Sequence, residues 1–180
     1  MKTLLESILN KSGVGKIHLI QSWLGEHGVE NYNINNKGEI DVDGNVDLNG
    51  CGLTEFPQFI QFGTVKGQFS CAFNHLTTLR GCPPVVKKSF YCNSNELTSL
   101  EGAPRAVGKD FYCSANNLTS LKGAPEKISG NFYCGFNLLN TLEGAPMRVA
   151  GYFNCSYNST KFTEDDVRDV CKVKKGIIVR

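Results

Sequence analysis

The sequence predicts a repeat solenoid in which each coil is 21 residues long and adds one strand to a parallel sheet. Three residue types recur in one register. A phenylalanine precedes each cysteine by two residues, and an asparagine follows it by three. The repeated residues are Phe69, Phe90, Phe111, Phe132 and Phe153, then Cys71, Cys92, Cys113, Cys134 and Cys155, then Asn74, Asn95, Asn116, Asn137 and Asn158. A period between 20 and 50 residues is typical of solenoids, whose units stack to bury a shared core.

Each repeat contains a short strand with one buried face. Phe111 and Cys113 alternate with Tyr112, which is the period of a strand, and leucines such as Leu118 and Leu121 follow to fill the interior. Because 21 residues leave no room for a full α-helix as well, the back of each coil is expected to be extended or 3₁₀. The sequence therefore predicts one parallel sheet, on one face, with strands about 4.8 Å apart.

The repeated asparagines are expected to form a buried ladder. An asparagine side chain has both donors and acceptors, so it can satisfy backbone groups that a tight turn leaves unpaired. The alternative, asparagines on surface loops, does not explain why they keep one register. The five repeated cysteines are likewise expected to be buried free thiols, since parallel Cβ vectors suit a disulfide poorly. No C-x-x-C pair or histidine cluster occurs, so we expect no metal site and no cofactor.

Residues 1–47 are expected to form an N-terminal cap. Two amphipathic helices are predicted, over 3–10 and over 16–26 with Ile17, Ile20 and Leu24 in its apolar stripe. Their alternative role is to dock a partner, but terminal units of a solenoid need covering for solubility. A three-stranded meander over 32–48 should follow, with Asn36-Lys37-Gly38 as its first turn. A second, three-residue loop, Asp43-Gly44-Asn45, would place Val42 opposite Val46 and Ile40 opposite Leu48.

The acidic spacing in this meander also fits a calcium loop, through Asp41, Asp43, Asn45 and Asp47. However, Gly44 comes too early for an EF-hand, which needs glycine at its sixth position. A polar strand face is the preferred interpretation.

The solenoid itself is predicted over 48–162, with about six coils. Leu48 lies one period before Phe69, and Leu53 and Phe56 resemble Leu76 and Leu79 after a two-residue deletion, so the first coil is degenerate. Residues 163–180 form the C-terminal cap. Thr163 is a predicted N-cap with Asp166 three residues later, Val167, Val170 and Cys171 form the helix stripe, and 177–179 form a closing strand.

The repeat resembles a known family. Phe111-x-Cys113-x-x-Asn116-x-Leu118 is similar to the leucine-rich-repeat core, although the preceding aliphatic, Val107, stands one place early. The run from Leu97 to Pro104 further resembles leucine-rich-repeat proteins of uncharacterised function that are common in tailed bacteriophages. Trp23-Leu24 with Asn31 to Asn35, and the ending Phe162 to Arg168, resemble the termini of those proteins. The resemblance implies a phage setting and a host bacterial protein, such as a defence component, as the partner.

Composition narrows the function. The net charge is +2 with both signs interspersed along the chain, which does not favour a nucleic-acid partner. With no membrane span or export signal in the sequence, we expect a cytoplasmic protein. His18, His27 and His75 lie in different regions, and the cysteines are too regular to be nucleophiles, so no catalytic residues are assigned and no enzyme is expected.

The outward face of the sheet is the predicted partner-binding site. Three tyrosines on consecutive strands form a stripe, with polar residues before them and aromatic residues at the strand exits. The site comprises Tyr91, Tyr112, Tyr133, Asp110, Asn131, Phe73, Phe136 and Tyr157. The alternative is that the tyrosines only stabilise the sheet by cross-strand packing. We expect a non-catalytic protein-interaction module. A structural or virion-associated assembly role is the alternative, and nucleic-acid binding through tyrosine stacking and the basic tail is a weaker one.

Overall fold

The computed structural model describes residues 13–180, which form a parallel β-solenoid of about seven turns with a 21-residue period. The helices are α1 (Gly13–Glu26) and α2 (Glu164–Val170). The strands are β1 (Tyr32–Ile34), β2 (Ile40–Val42), β3 (Val46–Asp47), β4 (Phe62–Val65), β5 (Phe69–Ser70), β6 (Val85–Val86), β7 (Phe90–Tyr91), β8 (Ala106–Val107), β9 (Phe111–Tyr112), β10 (Lys127–Ile128), β11 (Phe132–Tyr133), β12 (Arg148–Val149), β13 (Tyr152–Asn154), β14 (Lys172–Val173) and β15 (Gly176–Ile178).

Each coil contributes two strands, so the solenoid has two sheets where the sequence predicted one. The aromatic sheet has the order β15-β13-β11-β9-β7-β5-β3, and the second sheet has the order β1-β2-β4-β6-β8-β10-β12-β14. The second sheet comes from an aliphatic column, Val65, Val86, Val107, Ile128 and Val149, whose side chains are buried. Residues 87–89 turn the corner from one sheet to the next, so both sheets cover the same core.

The core is a stack of identical side chains, as predicted. The repeated phenylalanines from Phe69 to Phe153 are fully buried. The centre of the Phe111 ring lies 5.2 Å from that of Phe90 and 5.6 Å from that of Phe132. The cysteines form the adjacent column, where Cys113 Sγ donates to the Tyr133 carbonyl at 3.4 Å. Burial raises the pKa of the Cys92, Cys113 and Cys134 thiols well above the usual value, so they stay protonated and unreactive.

The asparagine ladder is confirmed. Asn116 Nδ2 lies within hydrogen-bond distance of the Cys92 and Cys113 carbonyls, at 3.0 and 3.1 Å, and Asn116 Oδ1 accepts from the Leu97 N–H at 3.0 Å. Asn95 and Asn137 repeat this pattern one coil away on either side. Each side chain therefore ties its own turn to the preceding coil and leaves the buried backbone paired.

The first coil differs from the prediction. Val46 pairs with Phe69 and Val42 with Val65, so β2 and β3 belong to different sheets and do not form a hairpin. The pairings Val42–Val46 and Ile40–Leu48 are wrong, because the next coil supplies both strands with partners. Since Val46 occupies the place of Phe69, this coil is 23 residues long, and Leu48 matches Cys71 and not Phe69.

The polar side chains of this coil bind the next coil. Asp41 Oδ1 accepts from the Thr64 N–H at 2.6 Å, and Asn45 Oδ1 accepts from the Gln68 N–H at 3.1 Å. Asp43 forms an exposed ion pair with Lys66. These roles agree with a polar face and account for the spacing that resembles a calcium loop.

The N-terminal end is covered by α1 and by the antiparallel pair β1–β2. Trp23 of α1 packs edge-on against Phe56 and Phe62 at 6.3 and 6.5 Å, and Ile20 and Leu24 are fully buried. Ile17, which the sequence placed in the same stripe, is exposed. The predicted turn is present, with Gly38 in the left-handed region at φ 77°. The helix predicted over 3–10 lies outside the described residues.

The C-terminal end continues the solenoid. Thr163 Oγ1 accepts from the Asp166 N–H while the Asp166 carboxylate accepts from the Thr163 N–H, which completes the predicted capping box of α2. Val167 is buried, whereas Val170 is exposed and does not belong to the stripe. The strand β15 pairs in parallel with β13, so the segment predicted as a closing strand forms the seventh coil.

Candidate protein-binding face

The three repeated tyrosines form a continuous stack on the outside of the aromatic sheet. Each follows an inward phenylalanine, so the strand alternation directs it outward. The Tyr91 and Tyr112 rings are stacked at 4.8 Å, and the Tyr112 and Tyr133 rings at 4.6 Å, with interplanar angles of 13° and 12°. All three side chains are half-buried, because each ring covers the faces of its neighbours. The stack is a preordered ridge that presents ring edges and hydroxyls.

The electrostatics of the stack favour a neutral phenol at Tyr112. Burial, followed by the negative charge of Asp110 and by the neighbouring tyrosines, raises the pKa of Tyr112 to about 12. At neutral pH its hydroxyl therefore keeps its proton and remains a hydrogen-bond donor.

Both ends of the stack are closed by short polar residues. At the tyrosine position, Ser70 is buried and donates to Asn49 Oδ1. Asn154 turns toward the backbone just after its own strand, where its Oδ1 accepts from the Ser156 N–H at 2.9 Å. The stripe is therefore limited to three coils, as the sequence predicted.

Asp110 and Asn131 lie at the corner between the two sheets. Asp110 Oδ1 accepts from the Asn131 N–H at 2.7 Å, and Asn131 Oδ1 accepts from the Tyr152 N–H at 2.9 Å. Ser89 Oγ accepts from the Asp110 N–H at 3.3 Å in the coil before. This second polar ladder, absent from the sequence-based account, gives both residues a structural role. Their predicted contact with a partner stays a prediction.

An exposed aromatic pair adjoins the stack. The Phe136 and Tyr157 rings are stacked at 4.5 Å with an interplanar angle of 18°, and 59% and 66% of these residues is exposed. Leu138, 50% exposed, follows on the same coil. Leu138 follows the ladder asparagine directly, a position that is polar in other coils, as at His75, Glu96 and Asn117. The sequence alone therefore distinguishes this coil from the others. We call Tyr91, Tyr112, Tyr133, Phe136, Leu138 and Tyr157 the aromatic face.

Left-handed backbone explains why the aromatic pair stands out from the sheet. Phe136 and Tyr157 both have φ 54°, and so do their counterparts in other coils within two degrees. This conformation is uncommon for residues other than glycine. Phe73 shares the position and is 64% exposed, but it lies three coils before Phe136, which is about 14 Å away at the strand spacing. Phe73 is therefore distant from the exposed pair, although its coil is next to that of Tyr91, and its contact with a partner stays a prediction.

A metal site finds no support in the described part of the chain. Residues 13–180 contain no group of three or more histidine, cysteine, aspartate or glutamate side chains placed to hold a metal ion. Neither α1 nor α2 has the length and apolar character that crossing a bilayer requires.

Comparison with known proteins adds no relative: no family model, curated protein or solved structure matches the chain.

Proposed function

We propose that the chain is a non-catalytic protein-binding module whose contact surface is the aromatic face. The observation that carries this proposal is the stacked pair of Phe136 and Tyr157, which remains more than half exposed next to the tyrosine stack. Aromatic residues are enriched at the centres of protein interfaces, and contiguous exposed apolar surface commonly marks a partner.

The rigidity of the platform supports the same proposal. Every coil beneath the face is held by parallel backbone pairing and by the asparagine ladder. The tyrosines are already stacked, so binding would order few additional side chains and would cost little conformational entropy. A specific partner is expected to cover about 800 Å² of this side of the molecule.

The proposed setting follows from the resemblance to leucine-rich-repeat proteins of tailed bacteriophages. In that setting the module acts in the cytoplasm of an infected bacterium, and its partner is a host protein such as a defence component, which binding would inhibit. The resemblance alone supports this part of the proposal.

The test removes the exposed pair and leaves the core intact. A Phe136→Ser/Tyr157→Ser variant is expected to lower the melting temperature by no more than a few degrees, since both side chains project into solvent. Loss of an aromatic anchor commonly costs about 2 kcal/mol or more, so affinity for the partner should fall by more than about tenfold. The partner is first captured from bacterial lysate on the immobilised wild-type chain, and its Kd is then measured with purified components.

The matched control is Met147→Ser, which removes a similarly exposed apolar side chain from outside the aromatic face. The control should capture the same protein with unchanged Kd. If the aromatic variant binds as tightly as the control, the aromatic face is not the contact surface.

A further inference from the structure

The fold gathers basic residues that are scattered in the sequence. Lys127, Arg148 and Lys172 begin β10, β12 and β14, and each is exposed while the next residue of its strand faces inward. They occupy one register, with Lys127 paired to Arg148 and Arg148 paired to Lys172. Three cations therefore form a row on the outside of the second sheet, about 4.8 Å apart at their Cα atoms.

A second group of cations lies at the corner that follows these strands. Lys87, Lys88 and Lys109 belong to the middle coils, and Lys174 and Lys175 to the last coil. Backbone hydrogen bonds between successive coils hold this corner in line. The Lys109 N–H donates to the Lys88 carbonyl, and the Lys175 N–H donates to the Gly151 carbonyl. All five side chains are exposed. Together with Lys127, Arg148 and Lys172 they make up what we call the basic face.

Two carboxylates stand near this face, against its eight cations. Asp110 is half-buried at the corner, where its Oδ1 accepts from the Asn131 N–H, and Glu126 is exposed in the same column as Arg105, one coil away. Within residues 13–180, no cation of the basic face lies within 4.0 Å of a carboxylate, whereas Lys66 and Lys122 elsewhere do form ion pairs. Lys175 Nζ instead lies 5.9 Å from the centre of the Tyr152 ring.

The surface between the cations is shallow and nearly free of large side chains. Gly108, Gly130 and Gly151 occupy the corner, where the preceding coil approaches too closely for a Cβ atom. Ala106 and Ser129 line the groove beside them. A rigid charged strip of this kind suits regularly spaced phosphates and offers no row of aromatic rings on which bases could stack.

We infer that the basic face binds the phosphate backbone of a nucleic-acid duplex, independently of sequence. From β6 to β14 the face crosses five strands, which is about 19 Å. A duplex presents a phosphate every 3.4 Å or so along each strand over that length. Anionic lipid would share the charge, but membrane-surface segments also insert an apolar face, and here only single exposed side chains such as Met147 and Tyr152 stand beside the cations. The inference is separate from protein binding at the aromatic face.

The test titrates a short random-sequence DNA duplex against the folded chain at several salt concentrations. Wild type should bind at low salt with a steep salt dependence. A Lys127→Gln/Arg148→Gln/Lys172→Gln variant should raise Kd by more than about tenfold at low salt. Its plot of log Kd against log salt should flatten by about 2.7 units, because each phosphate contact contributes about 0.9.

Two controls locate the effect. Lys16→Gln/Lys37→Gln/Lys161→Gln removes the same net charge from outside the basic face, and it should keep the wild-type Kd and slope. Phe136→Ser/Tyr157→Ser should also keep duplex binding, which distinguishes failure of this inference from failure of the aromatic face. The inference is overturned if wild type does not bind the duplex, if the charge control weakens binding equally, or if anionic vesicles are bound and the duplex is not.

Discussion

Replacing Phe111 with alanine is expected to lower the free energy of unfolding by about 3–5 kcal/mol. The ring is fully buried and contacts the equivalent rings of Phe90 and Phe132, at 5.2 and 5.6 Å between centroids. Alanine would remove the apolar area that the ring buries and would leave a cavity between two stacked coils. Backbone pairing on both sides limits how far those coils can collapse into it. The loss in free energy of unfolding is measured by urea denaturation, with circular dichroism as the signal.

The same substitution at Phe136 provides the matched control. This ring is more than half exposed and contacts Tyr157 on the surface. The expected change is within about 0.5–1 kcal/mol. Equal losses at Phe111 and Phe136 would show that Phe111 does not occupy an interior column.

Replacing Asn116 with alanine is expected to cost on the order of 3 kcal/mol. The Leu97 N–H, which donates to Asn116 Oδ1, would be left buried without a partner, at about 1–3 kcal/mol. The donations from Nδ2 to the Cys92 and Cys113 carbonyls would also be lost, although Asn95 and Asn137 still serve those carbonyls. The added loss is about 0.5–1.5 kcal/mol for each bond.

Two further variants sharpen this measurement. Asn116→Asp keeps an acceptor for the Leu97 N–H but places a carboxylate against carbonyl oxygens, so it should destabilise at least as much as alanine at neutral pH. Asn117→Ala changes the exposed neighbour and should have little effect. If Asn116→Ala were as stable as Asn117→Ala in urea, the ladder would not contribute to coil stacking.

The columns of phenylalanine, cysteine and asparagine could be predicted because a fixed period leaves little freedom. Residues 21 positions apart occupy the same place in successive coils. Phe111 therefore lies directly above Phe90, whatever conformation the rest of each coil adopts. The tyrosine stack follows from the same register. Residue identity and spacing therefore determined both the core and the main part of the candidate site.

The second sheet could not be predicted from local pattern. Its strands from β6 to β14 are two residues long, as in Val85–Val86, and only one residue of each faces the core. So short a segment has no visible alternation, and its pairing comes entirely from the next coil. The same cause explains the first coil. Asp43-Gly44-Asn45 has the composition of a hairpin turn, but Val42 and Val46 pair with Val65 and Phe69 in place of each other.

Charge distribution was the other feature hidden in the linear sequence. Lys127, Arg148 and Lys172 are separated by intervals that also contain acidic residues, so the chain reads as mixed in sign. The acidic residues of the intervals, such as Glu143, fall on other parts of each coil, and Glu143 pairs with Lys122. Assigning each charged residue to a face requires the exact length of each corner and of the last coil. That coil has 24 residues from Arg148 to Lys172, where the repeat has 21.

The most direct test of the account measures distances between coils in solution. The residue after each ladder asparagine is exposed, so it can be changed to cysteine and carry a nitroxide label. Three doubly labelled variants pair position 75 with position 117, 138 or 159. Cys51, the one exposed cysteine, is first changed to serine. A continuous stack predicts label separations that grow steadily over two, three and four coils, at about 10, 14 and 19 Å. Separations that fail to increase in step with coil number would contradict the stack, and with it the aromatic and basic faces that depend on its register.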